Sequence, residues 1–101
     1  MIRPPILRVL SGGLLLALSL PATAQRQGEV TFYSEIAFRG QSFTVTGRRA
    51  NLRVPFTVRS AKIAAGDRWE ICTEARYRGR CNEVSEAQGN VAWTVRSARP
   101  A

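Results

Sequence analysis

The sequence predicts an all-β fold of short, evenly spaced strands, a sandwich or a barrel. Three observations carry that expectation. Runs of β-branched and aromatic residues alternate with glycine-containing breaks, no stretch beyond residue 24 keeps a helical period over three turns, and the chain is written twice. Residues 33–40 lie over 72–79 at an offset of 39, with Glu35 on Glu74, Phe38 on Tyr77 and Arg39-Gly40 on Arg78-Gly79. Thr-Val-Arg-Ser then recurs at 57–60 and 94–97, an offset of 37, so a two-residue deletion separates the matching blocks. Such a period predicts two copies of one unit, about 29–66 and 67–100.

Residues 1–24 read as a secretory signal peptide. Arg3 and Arg8 supply the positive start, Val9 to Leu20 the apolar run, Pro21 the break and Ala22-Thr23-Ala24 the cleavage site. The run of 12 residues is short of the roughly 20 that a membrane span needs, so no transmembrane anchor is expected. No cysteine follows it to take a lipid anchor. Cleavage leaves residues 25–101, one domain of 77 residues with 13 basic and seven acidic side chains, a net charge of +6. A domain that small buries a limited core and profits from a covalent staple.

In the first unit, Glu29–Tyr33 and Gln41–Thr46 have strand composition, and Thr57–Ile63 supplies a later strand. Arg68–Cys72, Arg80–Val84 and Trp93–Ala98 repeat these three in the second unit. Gly47, Gly66-Asp67 and Gln88-Gly89-Asn90 punctuate them. Cys72 and Cys81 are the only cysteines, and an even pair in an exported chain predicts a disulfide. With no C-x-x-C spacing, a structural role outweighs a redox one, although Arg80 beside Cys81 would lower a free thiol's pKa.

The order Phe32-Tyr33, Phe38, Gly40, followed some 20 residues later by Ser60, resembles the Greek key signature of the βγ-crystallin family. Tyr77, Gly79 and Ser97 give the second copy, and the resemblance spans nearly all of 29–100. It implies a βγ-crystallin-like sandwich of two four-stranded Greek keys behind the signal peptide, in which the first hairpin of each motif folds back over its sheet. Tyr33 and the paired Phe38 and Tyr77 would cover the fold-back, and Ser60 and Ser97 would fasten it. Gly40 and Gly79 would take a turn at positive φ that only glycine adopts freely. Copy two departs by placing Cys72 and Cys81 where copy one has Tyr33 and Ser42.

Catalysis is not expected. The chain has no His, the commonest general base, and a nucleophilic Ser needs such a neighbour. Lys62 could partner Ser60, but Arg99 stands at its place in the second copy. No cofactor is implied. Many microbial relatives bind calcium through a six-residue motif of two Asn/Asp, two variable positions and Ser/Thr-Ser. Here the aligned hexamers are Pro55–Ser60 and Ala92–Ser97, with Arg59 and Arg96 at the hydroxyl position. Calcium wants six to eight hard oxygens. A calcium-binding, stress-related role is therefore disfavoured and no metal is expected.

The densest basic clusters are Arg48, Arg49 and Arg53, and Arg76, Arg78 and Arg80. The last three alternate, so an extended chain would project them from one face. They form a possible patch for anionic envelope polymers or lipid headgroups, beside the plainer reading of a solvated surface. Nucleic acid is not expected as a partner of an exported chain, and a monomer is. The sequence thus points to a non-enzymatic secreted or periplasmic domain with a structural or binding role in the cell envelope. The alternative is a protease inhibitor, for which Gly47–Pro55 is the candidate loop.

Overall fold

A computed structural model describes residues 25–101, and the signal peptide expected at 1–24 lies outside the described residues. Six strands appear in order: β1 Glu29–Glu35, β2 Arg39–Thr46, β3 Ser60–Ile63, β4 Trp69–Glu74, β5 Arg78–Val84 and β6 Ser97–Pro100. A 3₁₀ turn over Ala75–Tyr77 links β4 to β5. The strands form two antiparallel three-stranded sheets, ordered β2-β1-β3 and β5-β4-β6. Their registers correspond: Tyr33 faces both Ser42 and Ser60, and Cys72 faces both Cys81 and Ser97.

The fourth strand of each motif is reduced to one bridge, and it joins the opposite sheet. Arg49 exchanges backbone hydrogen bonds with Ala98 of β6 at 2.8 and 3.0 Å, and Gln88 with Ala61 of β3 at 2.8 and 2.9 Å. The late strands also begin further on than their composition suggests, at Ser60 and Ser97. Val58 is drawn instead into a bridge with Trp93, which ties the two halves together where they cross. Propensity reports a residue's preference for extended backbone; it does not report which partner supplies the ladder.

Alternation along the strands sends one face inward. Val30 and Phe32 of β1, Val45 of β2, Trp69 and Ile71 of β4 and Val84 of β5 meet in one core with Val58, Val95 and Leu52. Leu52 comes from the crossing segment between β2 and β3, is 1 % exposed, and donates its N–H to Arg96 O at 2.7 Å. The core therefore depends on both motifs being present. Leu52→Ala should destabilise the domain by about 2–5 kcal/mol. Ile36→Ala, at a side chain 41 % exposed, should stay within ~0.5 kcal/mol. Urea unfolding of both variants checks this; equal effects would contradict the shared core.

Candidate functional site

The hairpin joining β1 to β2 and that joining β4 to β5 bend back at pairs of left-handed residues. Ala37 and Phe38 sit at φ 59° and 61°, and Arg76 and Tyr77 at 60° and 61°. The register shifts between Tyr33 and Glu35 and between Cys72 and Glu74, so the bend leaves polar backbone groups outside the ladder. Ser60 meets two of them. Its Oγ accepts the Phe38 N–H at 2.9 Å and donates to Glu35 O at 2.6 Å. Ser97 does the same for Tyr77 N–H at 2.9 Å and Glu74 O at 2.6 Å. Both serines are 0 % exposed. A hydroxyl is the smallest side-chain group that can donate and accept at once, and an unpaired buried backbone group is costly.

Ser34 and Thr73 hold the next turn. Ser34 Oγ accepts Gln41 N–H at 2.8 Å, and Thr73 Oγ1 accepts Arg80 N–H at 2.9 Å. A Cβ at Gly40 would collide with Ser34 Oγ, and one at Gly79 with Thr73 Oγ1. Glycine at these places thus answers a close approach as well as φ values of 84° and 79°. The aligned Ser34/Thr73 pair was the only sequence signal for this second fastener.

The two fold-backs are covered differently. In the first, Tyr33 meets Phe38 edge to face at 6.0 Å between centroids, and Lys62 Nζ lies 5.0 Å from the Phe38 centroid. In the second, the Cys72–Cys81 disulfide takes the Tyr33/Ser42 place across the ladder. The Tyr77 ring, without an aromatic partner, is approached by two guanidiniums: Arg99 Cζ at 4.0 Å and Arg48 Cζ at 5.5 Å. Arg99 Nε also donates to Glu70 Oε1 at 2.7 Å. Beside them opens a surface cleft of about 430 Å³, lined by Arg48, Glu70, Cys81, Asn82, Glu83 and Arg99 among others. Glu70, Cys72 and Cys81 bring ligand atoms within 4.8 Å of one another. The two sulfurs are bonded to each other, so they offer a metal no thiolate.

In the two hexamers, arginine chemistry and backbone bridges occupy the groups that a calcium site would draw on. Arg59 Nε donates to Val91 O at 2.7 Å, so a fixed cation already uses a carbonyl of the crossing segment. The carbonyls of Arg59 and Arg96 accept the N–H groups of Val91 and Leu52 at 2.9 and 2.7 Å. Those of Val58 and Trp93 accept each other's N–H groups at 2.9 and 2.8 Å. The bridge takes one lone pair of each of these carbonyls, and the hexamers add no carboxylate for an ion that needs many oxygens.

Among the arginines, Arg78 and Arg80 lie on β5, two residues apart and on one side of the strand. Arg76 departs from the expected alternation. It occupies the left-handed turn, where the hairpin bends, and so does not continue the row. The fold compensates by another route: Arg76 N–H donates to Ala50 O at 2.7 Å, which sets the 48–53 segment against the 76–80 hairpin. Arg48, Arg49, Arg53, Arg76, Arg78 and Arg80 are all exposed. The ion pairs among the described residues are Arg68–Glu83 and Arg99–Glu70, and none of the six takes part in them. Arg99, which composition did not single out, joins this group through Tyr77.

Ser97→Ala and Ser60→Ala should each destabilise by about 1–3 kcal/mol, since two partly buried backbone groups lose their partner. Ser34→Ala, at an exposed bond, should cost about 1 kcal/mol or less. Denaturant titration separates the two classes. Calcium at millimolar concentration should leave the melting temperature where chelator leaves it, and a rise with calcium would overturn the account of the hexamers.

No family model and no curated protein matches the sequence. Solved structures do match by shape. A structure concerning the evolution of the eye lens βγ-crystallin domain fold superposes with a TM-score of 0.68 at 22% identity, over 77% of this chain and 89% of that one. A βγ-crystallin from an archaeon gives 0.63 at 20% identity, over 75% and 100%. A βγ-crystallin domain from Flavobacterium johnsoniae gives 0.62 at 18% identity, over 71% and 92%. With its two Greek keys, crossed segments and serine-fastened hairpins, the chain has the βγ-crystallin domain fold.

Proposed function

We propose that the mature chain is an exported, non-enzymatic domain of βγ-crystallin type with a binding role in the cell envelope. The observation that carries this reading is the use made of Ser60 and Ser97. Each spends both its donor and its acceptor capacity on a folded hairpin and is closed to solvent. A nucleophile needs a base and an open approach, and the chain has no His to supply the base. The disulfide supports export, because such staples persist in oxidising compartments. It also stabilises a small domain by about 2–3 kcal/mol through loop closure.

A second reading, protease inhibition, draws on the segment 47–55. Its backbone is pinned through Arg49 and Leu52, while Arg48, Ala50, Asn51 and Arg53 stay exposed. Pinning of that kind pre-organises an inhibitory loop. Expression with the native leader, followed by cell fractionation and mass spectrometry, tests the first reading. The chain should appear in the periplasm or medium, begin at Gln25 and carry no free thiol. A cytoplasmic, reduced, uncleaved product would sink it. For the second reading, inhibition of a panel of secreted proteases should fall at least tenfold on Arg53→Ala.

A further inference from the structure

The two halves of the domain make the same backbone contacts, which allows each exposed arginine to be compared with the residue that does its structural job in the other half. Arg49 bonds Ala98 as Gln88 bonds Ala61; Leu52 N–H reaches Arg96 O as Val91 N–H reaches Arg59 O. Arg76 N–H reaches Ala50 O as Ala37 N–H reaches Gly89 O, and Arg80 N–H reaches Thr73 as Gln41 N–H reaches Ser34. The counterparts of Arg48, Arg49, Arg76 and Arg80 are therefore Ala87, Gln88, Ala37 and Gln41. All four are uncharged, whereas Arg78 corresponds to another arginine, Arg39, and the half that carries these residues folds the same way. The shared backbone contacts do not require these arginines, although Arg48 also lies over the Tyr77 ring, and the fold gathers them at one end of the molecule from two motifs.

Crowding like charges costs energy in proportion to their closeness. Arg48 and Arg99 both lie within 5.5 Å of one ring centroid. Glu70 bonds Arg99, and no carboxylate pairs with Arg48, Arg49, Arg53, Arg76, Arg78 or Arg80 among the described residues. We propose that this face, resting on the exported envelope role proposed above, takes a flexible polymer bearing phosphodiester groups. The cations are arginines throughout, whose planar forks match oxyanions and hold less water than an ammonium. They approach from a loop, a hairpin and a strand. A tetrahedral phosphate can be contacted from several such directions, whereas one in-plane fork already satisfies a carboxylate. Arg78 and Arg80 stand about 7 Å apart along β5, so neighbouring charges of one chain can each find a partner. A lipid surface fits less well. The one large hydrophobic residue that is exposed among the described residues, Ile36, belongs to the opposite hairpin, so nothing apolar stands ready to enter an acyl layer.

The test uses the mature protein and a fluorescent glycerol-phosphate polymer, followed by anisotropy at several salt concentrations. Binding should weaken steeply as salt rises. Giving the face its counterparts' residues, Arg48→Ala, Arg76→Ala and Arg80→Gln together, should weaken binding at least tenfold. The fold should survive, with a melting temperature lowered only by loss of the Arg48–Tyr77 contact, because the same residues already serve the backbone in the other half and Arg99 still covers Tyr77. Arg26→Gln, Arg39→Gln and Lys62→Gln together remove the same net charge elsewhere and should change affinity less than threefold. Equal losses in the two triple variants would overturn the assignment and leave only net charge at work. So would absence of binding, or tighter binding to polygalacturonate, to single-stranded DNA or to phosphatidylglycerol vesicles. Cell fractionation reads export independently, so loss of this proposal leaves that reading standing.

Discussion

The rest of the structure depends on a hairpin that turns back over its own sheet and must be held there. The turn places two non-glycine residues in left-handed backbone and strands an N–H and a carbonyl away from the ladder. One buried hydroxyl answers both groups, and it can do so only from the strand that lies beside the hairpin. That requirement explains why the serine is written once in each motif. It also explains why neither serine is free for chemistry: its hydrogen-bonding capacity is already committed.

Fastened hairpins alone do not make a stable domain of this size. Stability comes from the crossing of the two motifs, in which each lends a segment to the other's sheet and Leu52 enters the shared core. The arginines at 59 and 96 belong to this crossing. Their carbonyls close bridges, and the guanidinium of Arg59 reaches across to Val91. A fixed cation therefore sits among the bridging carbonyls of this crossing.

The halves agree in backbone and differ in surface. An aromatic pair covers the first fold-back and a disulfide covers part of the second, which leaves Tyr77 to arginines. Where the backbone is held constant, a difference in charge between corresponding positions is not required by the backbone contacts. The internal comparison therefore does for this domain what a control protein would do. The fold demands Ser60 and Ser97 in both motifs, whereas it accepts an arginine or an uncharged residue at the backbone positions of Arg49 and Arg76.

Most of the architecture was legible in the sequence, because its determinants are local. Strand propensity, the glycines at the turns, the twice-written serine strand and the cysteine pair each act within a few residues of themselves. The strand ladder agrees with that reading except at its ends, where Val58 and Trp93 pair across the motifs. The candidate site was legible only in pieces. Two arginine clusters are visible along the chain, but they are more than 20 residues apart, and Arg76 breaks the alternation that was meant to align the second. Their meeting rests on a hydrogen bond from Arg76 to Ala50 and on the bridge from Arg49 to β6. Local composition determined that this chain would fold as two fastened hairpins. Only tertiary contact decided which charges share a face, because the crossing that joins them is specified by packing between motifs and by no single stretch of sequence.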